Sequence, residues 1–424
     1  MSVPVISHRR ARRIRRSPPC KILIYSHDTY GLGHIRRCLA IARNLRHCPA
    51  NIIIITGSIL AGRFKVPERI DFVRVPGMRK VTNEEYLPVS IRLDAGEVLE
   101  IRKKIILATA AAFQPDFFIV DKAPLGLKRE VADTLFWLRE QYPRCKTVLG
   151  LRDIMDDPDS TVEEWTSKGI YEVMRGLYDE IWIYGCRDFY DAVQEYRIPG
   201  DIASKTFFTG YIRREVPSRE MALATRGSFR IGDREKMVLV TTGGGGDGHS
   251  AIDAFLSAFD PMAGGKPAHV RAVVVTGPFV RAERYEAISR KCASLGFSCF
   301  KFHENMERLI GAADAIVSMG GYNTVCEIVS QKKPLLILPR TVPRREQIIR
   351  AEVLSRKGYC DYLDPESLTP GVLREHILNL LDDPSPYGDR MGSFPFNGLD
   401  FIRKRINIGN EGSQWAQLAV ASLE

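Results

Sequence analysis

The chain has 424 residues, 45% hydrophobic and 26% charged, and a formal net charge of +10. That length argues for two domains and that balance for globular cores, while no run approaches the roughly 20 apolar residues of a membrane-spanning helix. Nine scattered cysteines form no C-x-x-C pair and flank no histidine at metal-ligand spacing, so neither a zinc site nor a disulfide framework is indicated and a reducing cytoplasm fits.

Residues 1–19 form a basic arm. Arg9, Arg10, Arg12, Arg13, Arg15 and Arg16 precede Ser17-Pro18-Pro19, and the apolar segment that follows is too short for an export signal. The arm reads first as a solvated tail. A sharper reading is attraction to an anionic membrane surface, with nucleic acid ranked below it.

Short apolar runs then alternate with amphipathic stretches. Strands are predicted over Lys21–Tyr25, Asn51–Ile55, Asp71–Val75, Asp116–Val120, Lys146–Leu151, Glu180–Tyr184 and Lys205–Thr209, with helices over Ile35–Leu45, Gly96–Ala112 and Leu125–Gln141. The pattern lapses after residue 212 into a polar stretch, 213–235, read as a linker. It resumes with strands over Lys236–Thr241, Val270–Thr276, Ser298–Lys301, Ala315–Ser318, Pro334–Leu338 and Tyr359–Leu363. Buried strands with helical crossovers imply parallel sheets covered on both faces. Two α/β domains follow, 20–212 and 236–384, with a tail, 385–424, in which Gly409–Leu423 could form a closing helix.

Two strand-to-helix turns carry the clearest chemistry. Val240-Thr241-Thr242 runs into Gly243, Gly244, Gly245 and Gly246, ahead of the helical pattern Ala251–Phe259. Four glycines are entropically expensive unless the backbone approaches something closely, and at this kind of turn that is commonly a phosphate. The next strand, ending in Val275-Thr276-Gly277-Pro278, lacks the acidic residue of a dinucleotide fold, and no P-loop Lys-Ser/Thr follows the glycines. A second turn, Gly320-Gly321-Tyr322-Asn323-Thr324, puts Thr324 and Glu327 on one helix face, where a carboxylate could complement the helix dipole or accept a ribose diol.

In the first domain Gly31-Leu32-Gly33-His34 opens a helix at the carboxyl end of a strand, where open α/β sheets bind ligands. His34 is a candidate general base, and Asp28 could orient it or act as base itself.

Taken together these residues resemble MurG-like enzymes, the glycosyltransferase family 28, along Gly243 to about Asp364, and only thinly in the first domain. A bacterial branch of predicted glycosyltransferases sharing the H-D-x-x-G-x-G-H opening looks closer still. The resemblance implies a GT-B architecture: two doubly wound Rossmann-like domains facing across a cleft, donor on the second and acceptor on the first. It implies an inverting, metal-independent transfer of a sugar from a nucleoside-diphosphate donor, a UDP-sugar by analogy, without a cofactor. The acceptor, lipid-linked or polysaccharide, is left open, and the cytoplasm or the inner face of the cell membrane is the implied location. His303 and Met306 fall in the segment like that reading the base, and Gly321, Thr324 and Glu327 in the ribose signature. Glu346 and Gln347 fall at the donor sugar, Arg214 beside the diphosphate, and Gly31 and Gly33 on the acceptor side. Glu346 stands where the family has an amide, and the opening glycine motif keeps only Gly33-His34 in register. A nucleotide-sugar epimerase on the same scaffold and a non-catalytic nucleotide-sugar-binding protein remain the alternatives.

Overall fold

A computed structural model describes residues 19–27, 33–46, 48–63, 66–80, 85–244 and 248–407. The basic arm to residue 18, Asp28, Gly31, Gly245, Gly246 and the segment Gly409–Leu423 lie outside the described residues.

The first half contributes β1 (Cys20–Ser26), β2 (Ala50–Thr56), β3 (Ile70–Arg74), β4 (Met78–Lys80), β5 (Tyr86–Pro88), β6 (Phe117–Asp121), β7 (Lys146–Arg152), β8 (Glu180–Tyr184) and β9 (Thr206–Phe208). The second contributes β10 (Lys236–Thr241), β11 (Val270–Val275), β12 (Ser298–Phe300), β13 (Ala315–Ser318), β14 (Leu335–Ile337) and β15 (Asp361–Tyr362). Two parallel sheets result, ordered β3-β2-β1-β6-β7-β8-β9 and β12-β11-β10-β13-β14-β15. Successive side chains of β1 enter opposite layers: Ile22 and Ile24 join one apolar cluster, Leu23 and Tyr25 another. Helices cover both faces, as such strands require. The fold is GT-B, two Rossmann-like halves.

Each sheet reverses its order once, between β1 and β6 and between β10 and β13. Ligands of open α/β sheets bind at such switch points. His34 follows β1 and Asp121 ends β6, while the two glycine turns follow β10 and β13. Topology alone therefore gathers the site.

Three local features differ from the sequence reading. The stretch taken as a linker holds a helix, Arg219–Ser228, whose Ser218 hydroxyl caps the Met221 amide and whose Arg226 reaches Asp314 at 2.8 Å. It buries no residue, so it shows no apolar stripe. The helix expected over Leu125–Gln141 begins only at Ala132, because Gly126, Lys128 and Arg129 adopt positive φ of 71°, 46° and 66°. The antiparallel pair β4–β5 was not anticipated; its strands are only three residues long.

The chain ends by crossing back. A helix over residues 398–407 lies against the first sheet, with Phe401 edge-on to Trp182 at 6.4 Å and Arg405 bonded to both oxygens of Glu180 at 2.7 and 3.1 Å. Between the halves, Arg350 of the helix Glu346–Arg356 grips Asp153, just beyond β7, at 2.9 and 2.6 Å, and donates to the Gly320 carbonyl at 3.0 Å. Both partners are almost wholly buried. Removing one leaves a buried charge uncompensated, so Arg350→Ala is expected to cost about 3–5 kcal/mol in urea unfolding. Replacing both by apolar residues of similar volume should recover most of that loss; recovery of none would mean the pair is not acting as a unit.

Candidate active site

His34 is the second residue of the helix Gly33–Leu45, and its Nδ1 lies 2.5 Å from Asp121 Oδ2. One turn on, Arg37 holds the same carboxylate twice, Nε to Oδ1 at 2.8 Å and Nη2 to Oδ2 at 2.7 Å. Arg37 Nη2 also lies 3.1 Å from His34 Nδ1. A guanidinium only donates, so that contact alone would leave Nδ1 bare; a carboxylate at 2.5 Å requires the proton there instead. Nδ1–H therefore donates to Asp121, and Nε2 is left as the basic nitrogen. This is the arrangement of an oriented general base.

Electrostatics agree with that assignment. Burial pushes the His34 imidazole down to about 4, against the upward pull of Asp121. Burial would raise the Asp121 carboxyl, but Arg37 and His34 outweigh it and hold it well below the usual carboxylate range. His34 is thus neutral at pH 7, with 12% of its side chain exposed to receive a proton. His27 stands edge-on at 5.8 Å, and burial drives its pKa well down too.

The second domain answers with two glycine turns. Gly243 has φ 71°, and a Cβ there would lie 3.9 Å from Thr324 Oγ1, which brings the turns together. Gly320 has φ 80°, and its Cβ would lie 2.8 Å from Ile337, so only glycine fits. The helices His249–Ala258 and Tyr322–Ser330 begin at Gly248 and Gly321 without a side-chain cap. Their first amides are therefore unclaimed by side chains and carry the positive end of the helix dipole.

Glu327, on the second of these helices, accepts from Arg36 Nη1 at 3.2 and 3.5 Å. Arg36 lies two residues past His34, so the ribose candidate is already tied to the base's own helix. Arg214 donates to Asn323 Oδ1 at 2.5 Å and to the Arg36 carbonyl at 3.3 Å. Its charge faces no carboxylate among these partners, but those donors are aimed at protein atoms. Gly33 proves to be an interdomain contact: a Cβ there would sit 2.4 Å from Asn323 Nδ2. His303 Nδ1 accepts from the Asn305 amide at 3.2 Å, its pKa lowered by burial, and Met306 is buried at the start of the following helix. Glu346 Oε1 accepts from Arg340 at 2.8 Å, while Oε2 is buried without a partner. Gln347 Oε1 accepts from the Arg340 amide at 3.2 Å. Among the described residues no cluster of three or more acidic, histidine or cysteine side chains could hold a metal.

Residues 238–393 match the model of the glycosyltransferase family 28 C-terminal domain. This family 28 segment contains both glycine turns, Glu327, Glu346 and Gln347. Curated relatives match part of the chain. The chain is 29% identical over 107 residues to the UDP-N-acetylglucosamine–N-acetylmuramyl-(pentapeptide) pyrophosphoryl-undecaprenol N-acetylglucosamine transferase of Shouchella clausii, 24% of this chain and 30% of that one. It is 33% identical over 117 residues to the like-named enzyme of Clostridium botulinum, 27% and 32% of the two chains. The matches thus span about a third of those relatives. Solved structures resemble the whole chain in fold: Acinetobacter baumannii MurG at TM-score 0.56, 13% identity, over 92% of this chain and 99% of that one. A putative UDP-N-acetylglucosamine 2-epimerase of Listeria monocytogenes fits at TM-score 0.61, 12% identity, over 94% and 97%.

Asp121, Arg36 and Arg37 were missed by sequence reasoning. Asp121 sits one residue past the apolar run predicted as a strand, at the end where such sheets place functional groups, and that position was the available signal. Histidine NMR titration should show His34 near pH 4, and lower still in Asp121→Asn, where the stabilising anion is gone. Titration near the ordinary 6.5 would mean that burial does not dominate at His34, and an unchanged value in Asp121→Asn would mean that the pair does not form.

Proposed function

We propose that this protein transfers a sugar from a nucleoside-diphosphate donor, a UDP-sugar, to an acceptor hydroxyl with inversion and without a metal. The observation carrying this reading is the His34–Asp121 pair at one switch point, across from two uncapped glycine turns at the other. His34 Nε2 takes the proton as the acceptor oxygen attacks the anomeric carbon, and Asp121 steadies the imidazolium that forms. The departing diphosphate is stabilised by backbone amides of the glycine run 243–246, by both helix N-termini and by the charge of Arg214. Glu327 accepts the ribose hydroxyls, the His303–Met306 segment faces the base, and Glu346 and Gln347 face the sugar. The pairing with Asp121 favours His34 over Asp28 as the base.

The names of those relatives specify a pyrophosphoryl-undecaprenol acceptor, and we extend to this chain only the class, a lipid-linked or polysaccharide hydroxyl. No helix among the described residues is long and apolar enough to cross a membrane, so a lipid acceptor would be met from the surface, with the arginine arm toward anionic headgroups. Epimerase-type structures share the fold, which keeps internal epimerisation as the second reading.

Incubation with UDP-sugars alone separates the readings: a transferase gives at most slow hydrolysis, and an epimerase alters the sugar unaided. His34→Ala should lower transfer by on the order of 100-fold or more with UDP affinity nearly intact, whereas Glu327→Ala should weaken UDP by about 1.5–3 kcal/mol. The reverse pattern in the two variants would sink both role assignments. Transfer should also persist in EDTA; loss restored by magnesium or manganese would overturn the metal-free mechanism.

A further inference from the structure

Most buried arginines around the cleft have a carboxylate partner. Arg37 has Asp121, Arg350 has Asp153, and Arg340 has Glu346. Arg152 has none. It is the last residue of β7, half-buried, with Nε shielded from solvent and without a hydrogen-bond acceptor. No carboxylate, hydroxyl or carbonyl among the described residues pairs with its guanidinium. Burial pushes it down to about 10, the attraction of Glu346 being opposed by repulsion from Arg350 and Arg37. A cation in this position is a charge awaiting an anion.

Its neighbourhood indicates where that anion sits. The segment after β7 meets the segment after β14: Asp153 pairs with Arg350, and Asp156 Oδ1 accepts from the Arg345 amide at 2.7 Å. Glu346, next to Arg345, carries a buried Oε2 that accepts no hydrogen bond. In the second sheet β14 is the neighbour of β13, which the second glycine turn follows. Arg152 thus belongs to the side of the cleft assigned above to the transferred sugar.

We propose that Arg152 is an anion-binding residue of the cleft, taking a negatively charged oxygen group of the bound donor. Two parts of a donor supply such a group, a carboxylate on an acidic sugar and the diphosphate oxygens, and the position beside Glu346 favours the carboxylate. A uronic acid would set its carboxylate on Arg152 and a hydroxyl on Glu346 Oε2, answering both unpaired groups at once. The inference rests on the donor reading above and adds the class of sugar.

The test is calorimetric titration of UDP, UDP-glucose and UDP-glucuronate into the full chain as wild type, Arg152→Gln and Arg152→Lys. No hydrogen bond or ion pair among the described residues depends on this guanidinium, so neither variant should lower the melting temperature. Arg152→Gln should weaken UDP-glucuronate by about tenfold or more, as expected for one lost charge-assisted contact, and leave UDP and UDP-glucose within about twofold. Arg152→Lys should retain part of the difference. An equal loss for all three ligands would move the guanidinium to the diphosphate, keeping the anion site and removing the acidic sugar. Loss for none of them overturns the proposal. Failure of the wild type to bind any of the three would instead remove the donor reading itself.

Discussion

A tyrosine ring between two guanidinium groups joins the halves of this molecule. Tyr322, at the start of a second-domain helix, has Arg37 of the first domain 5.4 Å from its ring centre and Arg350 of its own domain at 5.9 Å. Each arginine is neutralised by a first-domain carboxylate, Arg37 by Asp121 and Arg350 by Asp153. Tyr211, from the segment joining the halves, stacks on the same ring and donates to Asp153 at 3.2 Å. Charges so buried tolerate little displacement, because a separated partner meets no water to replace it. The guanidinium that fixes the His34–Asp121 geometry therefore also fixes how the second domain sits.

The proposed base and the proposed donor site are consequently not independent. The first turn of the Gly33–Leu45 helix presents His34 to Asp121, Arg36 to Glu327 and Arg37 to both Asp121 and Tyr322. Gly33, immediately before, lets Asn323 approach, and Asn323 in turn holds Arg214. A donor ribose drawn to Glu327 would meet a carboxylate already engaged by Arg36. On the proposed roles, donor binding and the setting of the base would act on one short stretch of backbone.

How far this was legible follows from what each feature needs. Strands buried on both faces write themselves as apolar runs, and β8, β10 and β13 begin and end where the runs do. Glycine turns are legible because positive φ excludes most other residues, as at Gly243 and Gly320. The exposed helix Arg219–Ser228 has no buried face to create a pattern. Asp121 and Arg37 lie 84 positions apart, and Asp153 and Arg350 lie 197 apart; no local rule connects them. Tertiary ion pairs belong to the fold, and a carboxylate closing an apolar strand reads alone as a simple terminus. The arm, Asp28 and Gly31 lie outside the described residues, and their readings stand as expectations.

The crossing-back of the chain's end has a consequence for synthesis. Trp182 and Phe207 belong to the first sheet, yet the Phe401 ring that packs on them arrives about 190 residues later, at the far side of the second domain. At about 5–20 residues per second, a ribosome needs roughly 10–40 s to supply it. Through that interval the nascent first domain presents an uncovered apolar edge beside Glu180, whose partner Arg405 is also still unmade. The first half to be translated is thus the last to be sealed, and a chain stopped after the second sheet would carry two folded units with one of them open.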